Sequence, residues 1–176
     1  VYQNSGKEPF KSDIQAFDAA QIVLLVAAMN YVIEVEMAFT QMASKPEALK
    51  DQLKHMIKDL EDLINVTRDT TLSKAIRKRV MCMITLDAHA RDIVDKLIFE
   101  GVHEKSHFAW MSQLKQRYVT PAERKARGES EDHDARIDIL NASFFYDFEY
   151  LGNGARLVVT PLTDRIYVTA TQALHL

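Results

Sequence analysis

Cysteine is almost absent from this chain: Cys82 is the single one among 176 residues, so an internal disulfide is excluded. A chain without disulfides is typical of a reducing compartment. An excess of charge of one sign is also lacking, because 22 basic and 25 acidic side chains leave a formal net charge of -3. Nucleic acids and anionic membrane surfaces bind strongly basic faces. The composition therefore argues against both kinds of partner and favours a cytoplasmic protein.

A hydrophobic run long enough to span a membrane is missing as well. Apolar residues are continuous from Ile22 to Met29 and resume up to Ile33, where Glu34 and Glu36 interrupt them. A membrane-spanning helix needs about 20 predominantly apolar residues. The sequence therefore predicts a helix that is buried on most sides within a protein core, and no membrane partner.

Helix-breaking residues are scarce, with only five glycines and four prolines, and the first two thirds of the chain have helical periodicity. We predict four helices. They cover residues 12–43, a second stretch that begins near Pro46, residues 72–99, which are followed by the C-cap residue Gly101, and residues 105–118. The second of these carries one narrow apolar stripe with 4-3-4-3 spacing, formed by Leu49, Leu53, Met56, Leu60 and Leu63. Such a stripe is typical of helices that pack in an antiparallel bundle.

The pattern changes near Val119. Residues 120–134 are rich in charge and contain Pro121 and Gly128, so they are predicted to form an exposed loop. Residues 136–139 alternate between polar and apolar side chains, and so do residues 144–150, which predicts two strands. A tight turn is expected at residues 152–154 and a third short apolar run at 157–159. Thr160 and Pro161 then open a last helix, which is expected to continue to the end of the sequence.

Histidine is the residue that most invites a metal-site hypothesis, and its spacing argues against one. His103 and His107 are four residues apart, which suits one helix face, but Gly101 is expected to end one helix and the pair straddles the expected start of the next. A surface turn is the better interpretation. His89 lies in the polar cluster 87–92 within an otherwise apolar helix, which is expected to make hydrogen bonds and ion pairs between helices.

Two further features are interpreted as structural. The basic group formed by Lys74, Arg77, Lys78 and Arg79 has no interleaved aromatic residues, so it is interpreted as a solvated helix face. Cys82 is interpreted as an inert core thiol. From its residues alone, the chain is a mainly helical scaffold or interaction module without an active site.

A family resemblance extends this interpretation. Residues 150–165, YLGNGARLVVTPLTDR, closely resemble the segment that opens the first AAA+ module of dynein heavy chains, and residues 166–174 resemble the helix that follows. Residues 108–115, FAWMSQLK, are similar to the Trp-x-Ser-Gln-Leu-Arg element near the end of the dynein linker. The cluster 87–92 and residues 34–39 also resemble the family, and both are more similar to axonemal than to cytoplasmic dyneins. Ala155, residues 115–118 and Ala170 depart from the family pattern.

The resemblance implies a mainly α fold, in which an antiparallel helical bundle precedes a small β element and the opening strand and helix of an α/β AAA+ module. Residues 1–134 would be the helical end of the linker with an exposed loop near 120–134, residues 135–156 the β element that joins linker and ring, and residues 157–176 the start of the module. The chain would then be the base of the force-transmitting linker in a microtubule motor of the axoneme.

The resemblance also implies a nucleotide site in the parent motor, which binds ATP or ADP with Mg. The family places an apolar wall against the adenine ring, and the matching residues here are Leu157, Val158, Val159, Thr160, Pro161, Leu162 and Thr163. The phosphate-binding loop is expected beyond Leu176, so the fragment alone is expected to bind no cofactor and to be inactive. Implied partners are the remaining AAA+ ring, microtubules, and dynein intermediate and light chains. The alternative is a stand-alone helical scaffold without catalysis.

Overall fold

The computed structural model describes residues 20–128, 134–150 and 157–176. These residues form two compact units. The first contains the described residues before Val102 together with Tyr150, Leu157 and Val158, and the second contains residues 102–149 and 159–176. The assignment of residues 1–134, 135–156 and 157–176 to linker, joining element and AAA+ module stays a prediction.

Three helices in mutual contact build the first unit: α1 (Ala20–Gln41), α2 (Ala48–Val66) and α3 (Lys74–Phe99). The Ser73 hydroxyl starts α3 by accepting a hydrogen bond from the Ile76 amide at 3.2 Å. Gly101, with φ of 65°, follows its end, and a glycine adopts this left-handed conformation without a steric penalty. The three helices confirm the sequence prediction, although the expected start of the first helix at residue 12 lies outside the described residues.

The core of the first unit comes from all three helices and includes the buried residues Val23, Leu24, Leu63, Val80, Cys82 and Met83. Cys82 is thus a buried thiol, as interpreted from the sequence. The apolar stripe of α2 also faces inward, since Leu49, Leu60 and Leu63 are buried and the other two members are half-buried.

Helix α1 is long and apolar enough to cross a membrane, judged by length and composition alone. Half of its most apolar stretch is nevertheless buried within the protein. Val23, Val32 and Val35 are almost completely shielded. A core helix of a soluble protein has this combination of apolar composition and burial, which agrees with the sequence interpretation.

The interpretation of the basic group at the start of α3 as a solvated face is only half right. Lys74 and Lys78 are exposed. The Arg77 guanidinium, however, donates hydrogen bonds to the carbonyl oxygens of Thr67 at 2.5 Å and Asp69 at 2.7 Å, and the Arg79 side chain is buried. Arg77 therefore closes the turn between α2 and α3 by binding carbonyl groups that follow the end of α2.

The second unit contains α4 (Phe108–Met111), α5 (Pro121–Arg127), α6 (Pro161–His175) and a three-stranded antiparallel sheet. The strands are β1 (Lys115–Tyr118), β2 (Ala135–Ile139) and β3 (Ala142–Phe145), in the order β1-β2-β3. Lys115 lies opposite Asp138, and Ile139 lies opposite Ala142. A two-residue turn joins β2 and β3, with Leu140 at a φ of 50°.

The predicted helix over residues 105–118 is wrong in its second half. Only Phe108–Met111 is helical, and Lys115–Tyr118 is a strand. The physical reason is tertiary: the strand pairs with β2, which lies about twenty residues further along the chain, and this pairing overrides local helix propensity.

The predicted loop over residues 120–134 also needs correction, because it contains α5. Thr120 and Glu123 form a capping box: the Thr120 hydroxyl accepts from the Glu123 amide at 3.2 Å, and the Glu123 carboxylate accepts from the Thr120 amide at 2.9 Å. Gly128 ends the helix with a φ of 68°. The capping residues outweigh the low hydrophobic content of this stretch. Residues 129–133 lie outside the described part of the chain.

The predicted strand at residues 136–139 is confirmed, whereas the second strand is shorter and starts earlier than expected. It covers Ala142–Phe145, and the Phe148 backbone has a φ of 54°, which breaks the extended conformation that was expected up to Tyr150. The Tyr146 and Phe148 rings meet edge to face at 5.0 Å. The expected turn at residues 152–154 lies outside the described residues.

Candidate functional site

The segment 157–163 carries all the site residues that the sequence indicated, and it begins without regular structure. Residues 157–160 belong to neither a helix nor a strand, so the expected opening strand is not formed there. Leu157 and Val158 are 64% and 65% exposed, and Val159 is half-buried. Aliphatic side chains with this exposure are open to a ligand or to another protein segment.

The rest of the segment is the start of α6, and its geometry is well defined. Thr160 is the N-cap residue: its hydroxyl accepts from the Thr163 amide at 3.3 Å, and the Thr163 hydroxyl accepts from the Thr160 amide at 2.7 Å. Pro161 occupies the first turn, and Asp164 places a carboxylate near the positive end of the helix dipole. The prediction that Thr160 and Pro161 open the last helix is confirmed.

Replacing Thr160 by alanine is expected to destabilise α6 by about 1 kcal/mol, because the first-turn amides lose their capping oxygen. The measurement is the helical circular dichroism signal of the chain during urea unfolding. Thr169→Ala is the matched control, since its hydroxyl only bonds back to the Arg165 carbonyl within the helix at 2.8 Å. Equal losses in the two variants would show that the capping box contributes nothing.

Helix α6 is held to the sheet by one side and exposes an apolar surface on the other. The Gln172 side-chain amide donates to the Ile139 carbonyl oxygen at 3.1 Å, and α6 packs against β3. The exposed residues at helical spacing are largely apolar: Leu162, Ile166, Ala170, Ala173 and Leu174. In a soluble protein, an exposed apolar helix face of this extent marks a site of contact with another segment.

His107 has a structural role. The Nδ1 atom of His107 accepts a hydrogen bond from the Ala109 amide at 3.2 Å, so this side chain caps α4. Across residues 20–128, 134–150 and 157–176, no three His, Cys, Asp or Glu side chains are grouped so as to hold a metal ion.

The polar cluster 87–92 was expected to make hydrogen bonds and ion pairs between helices, and this stays a prediction. One ion pair within this cluster joins two neighbours on one helix, Arg91 Nη2 and Asp92 Oδ1 at 2.6 Å. Asp87 is half-buried, and its burial, followed by the charges of Asp59 and then Glu34, raises its pKa to about 7. Sequence reasoning missed these influences because Asp59 and Glu34 lie in distant parts of the chain.

Two further buried groups were missed by the sequence interpretation. Lys115, which was assigned to the end of a helix, has its ammonium group within 3.1 Å of three carbonyl oxygens. Arg124, which was assigned to a loop, is buried and forms an ion pair with Asp134. Both residues are buried in the second unit, where their hydrogen bonds and ion pair contribute to its packing.

The segment 157–163 lies in a region that matches a known protein family. Residues 146–176 match the family model described as the hydrolytic ATP binding site of the dynein motor region. This match begins at the end of the β-sheet region and includes the candidate segment 157–163 and the whole of α6.

Individual relatives match a larger part of the chain. The dynein alpha chain of the flagellar outer arm from Chlamydomonas reinhardtii is 46% identical over 158 residues, which is 89% of this chain and 3% of that protein. Human dynein axonemal heavy chain 9 is 40% identical over 89% of this chain and 3% of that protein. Pig dynein axonemal heavy chain 11 is 39% identical over 93% of this chain. The chain thus spans only about 3% of the length of the relatives it matches. By sequence, this chain belongs to the dynein heavy chain family and is related to its axonemal members.

Proposed function

We propose that this chain is part of an ATP-driven microtubule motor, in which it forms the base of the linker and one wall of the main ATP site. The observation that carries the proposal is the match of residues 146–176 to the dynein ATP-binding region. The relatives named as flagellar and axonemal dyneins support a location in the axoneme of a cilium or flagellum. Nucleotide binding in the parent motor involves ATP or ADP together with Mg.

The proposed adenine wall consists of Leu157, Val158, Val159, Thr160, Pro161, Leu162 and Thr163. Leu157, Val158 and Leu162 expose aliphatic surface, which suits the face of a flat purine base. Residues 157–159 are outside helices and strands, so their backbone amides and carbonyls are not committed to a regular ladder. Such groups can hydrogen-bond the polar edge of the base. The exposed apolar face of α6 would contact the remaining AAA+ ring of the same heavy chain.

The proposed role of the first unit is mechanical. Its three helices pack around a shared core, and its buried residues are mostly aliphatic. A lever transmits force through stiffness, and densely packed helices supply it. Microtubules and the intermediate and light chains would be partners of the whole motor.

The adenine-wall proposal predicts that Val158→Asp in the full heavy chain weakens ATP binding by at least about tenfold, because a carboxylate would face the apolar base and lie near the triphosphate. The measurement is titration with a fluorescent ATP analogue. Met81→Asp is the control, since Met81 is an exposed apolar residue of α3 outside the proposed wall.

The outcomes separate the two parts of the proposal. If Val158→Asp binds ATP as the unchanged heavy chain does, the adenine wall is wrong. If the unchanged heavy chain shows no ATP-dependent movement of microtubules in a gliding assay, the motor proposal itself fails.

A further inference from the structure

Helix α6 begins within the proposed adenine wall and is fastened to the β-sheet near its other end. Thr160 is the N-cap residue of this helix, and Gln172 lies more than three turns further along. An α-helix rises about 1.5 Å per residue, so these two positions are roughly 18 Å apart. Residues 159–163, the part of the wall that belongs to the second unit, therefore lie at one end of a helix whose other end is anchored.

The anchor is a hydrogen bond between a side chain and the backbone. The Gln172 Nε2 atom donates to the Ile139 carbonyl oxygen at 3.1 Å, although the two residues are 33 positions apart in the sequence. Gln172 is half-buried and Ile139 is only 1% exposed, so this bond is partly shielded from competing water. Ile139 is the last residue of β2, and α6 also packs against β3. The bond thus holds α6 at the place where β2 turns into β3.

The turn that provides the acceptor is itself held in place. Leu140, the first residue of this turn, donates its backbone amide to the Met111 carbonyl oxygen at 2.8 Å. The ammonium group of the buried Lys115 binds the same Met111 oxygen at 2.9 Å. The turn is therefore tied to the end of α4 through Leu140 and to α6 through Gln172. A support that is fixed in this way can define the position of a helix.

The wall end of α6 is fixed to the rest of the helix. The Thr160 amide donates to the Thr163 hydroxyl at 2.7 Å, and that hydroxyl donates to the Thr160 carbonyl oxygen at 3.0 Å. The Thr160 hydroxyl accepts from the Thr163 amide at 3.3 Å. Both hydroxyl groups are thus bound to backbone groups of the same turn. The two threonines therefore move with the helix as one body.

We propose that Gln172 is a positioning residue for the nucleotide site: by anchoring α6 to the turn between β2 and β3, it sets where residues 159–163 lie. This inference rests on the proposed function, because the adenine wall is what Gln172 positions. Contacts between a flat base and aliphatic groups weaken steeply with small changes in distance, so a displaced helix binds the base less well. Phosphate groups are charged and gain nothing from an apolar wall, so their own binding should not depend on Gln172.

The anchor itself is tested in the 176-residue chain by NMR, from the solvent-exchange rates of glutamine side-chain amide protons. The Gln172 signals are assigned by their loss in Gln172→Leu, and the exposed Gln41 at the end of α1 is the reference. A Gln172 amide proton is expected to exchange at least about tenfold more slowly than those of Gln41, because its hydrogen bond must open before exchange. Equal exchange rates for the two residues would overturn the anchor.

The positioning role is tested in the full heavy chain with Gln172→Leu, which keeps an apolar stem and loses the donor. The affinity for a fluorescent ATP analogue is expected to fall about fivefold, which is the effect of one hydrogen bond, whereas the affinity for inorganic tripolyphosphate should stay unchanged. Gln172→Lys retains an N–H donor and should restore binding of the analogue. Thr169→Ala is the matched control on the same helix and should leave both affinities unchanged.

The outcomes distinguish this inference from the proposed function. If Gln172→Leu binds the ATP analogue as tightly as the unchanged heavy chain, Gln172 does not position the wall. If the variant loses affinity for the analogue and for tripolyphosphate to the same extent, the damage is general and the positioning role is contradicted as well. If the unchanged heavy chain binds no ATP, the proposed function fails, and an anchor detected by NMR is then only a structural contact of the second unit.

Discussion

Replacement of Lys115 by methionine is expected to destabilise the second unit by about 3 kcal/mol, which is a large effect for one substitution. The side chain is only 2% exposed, and its ammonium group donates to the carbonyl oxygens of Trp110 at 3.1 Å, Met111 at 2.9 Å and Gln113 at 2.9 Å. These carbonyls lie at and just after the end of α4, where the Trp110 oxygen also accepts from the Gln113 amide at 3.1 Å and the Met111 oxygen from the Leu140 amide at 2.8 Å. Lysine thus donates to three acceptors at once.

The size of this effect follows from two opposing contributions. Loss of the ammonium removes the hydrogen bond to the Gln113 carbonyl, which costs about 1–3 kcal/mol, and takes one donor from the Trp110 and Met111 carbonyls, which keep their backbone donors. Removal of the buried ammonium also removes its desolvation penalty, which offsets several kcal/mol of that loss. Methionine retains most of the apolar stem, so the packing beside the Trp110 ring, 5.6 Å from the ammonium nitrogen, is largely preserved. The difference in unfolding free energy between Lys115→Met and the unchanged chain therefore reports on the hydrogen bonds of the ammonium group.

Trp110 makes the measurement specific for this unit, because it is the single tryptophan of the chain and is completely buried. Urea unfolding followed by tryptophan fluorescence should show a lower midpoint for Lys115→Met. Lys125→Met is the matched control, since Lys125 is exposed on α5, and its midpoint should change little. If both variants unfold at the same urea concentration, Lys115 does not hold the end of α4.

Lys115 also illustrates why the second unit was harder to predict than the first. The helices of the first unit are encoded locally, by apolar spacing such as that of Leu49 and Leu53 and by the glycine stop at Gly101. The strand at Lys115–Tyr118 depends on pairing with Ala135–Ile139, and nothing within its four residues requires an extended conformation. Non-local pairing therefore decided its structure, and a single-sequence pattern does not contain that information.

The sequence contains local signals for α5, but the high charge of residues 120–134 led to the prediction of an exposed loop. Thr120, Pro121 and Glu123 have the spacing of a capping box with proline in the first turn, which is the same arrangement that correctly predicted α6 from Thr160 and Pro161. The lack of large apolar residues in 120–134 favoured a loop. In the structure, the helix needs little apolar surface because it is short and capped at both ends.

The helix start at Thr160 was predictable from the sequence, whereas the environment of the candidate segment was not. The sequence located the segment 157–163 through its resemblance to dyneins and through the helix start at Thr160. The exposure of Leu157 and Val158 depends on what surrounds them in space, which apolar spacing alone does not reveal. The same holds for the raised pKa of Asp87, to which Asp59 and Glu34 contribute from distant parts of the chain.

Truncation of Leu49 to alanine is expected to destabilise the first unit by about 2–5 kcal/mol, because it removes buried methyl groups and leaves a cavity. Leu49 is 2% exposed at the first turn of α2, at the beginning of the apolar stripe. Removal of core atoms costs both the transfer of apolar surface and the contacts of the surrounding side chains. Urea unfolding followed by helical circular dichroism should show a clearly lower midpoint.

Ile57→Ala is the control that separates burial from hydrophobicity. Ile57 lies on the same helix and carries a similar aliphatic side chain, but it is 40% exposed and does not belong to the stripe. Its truncation should cost less than about 1 kcal/mol. If the two variants lose the same stability, the stripe of α2 is not the face that packs. A large difference instead identifies the stripe as the surface through which α2 stiffens the three-helix unit, the property on which its proposed mechanical role depends.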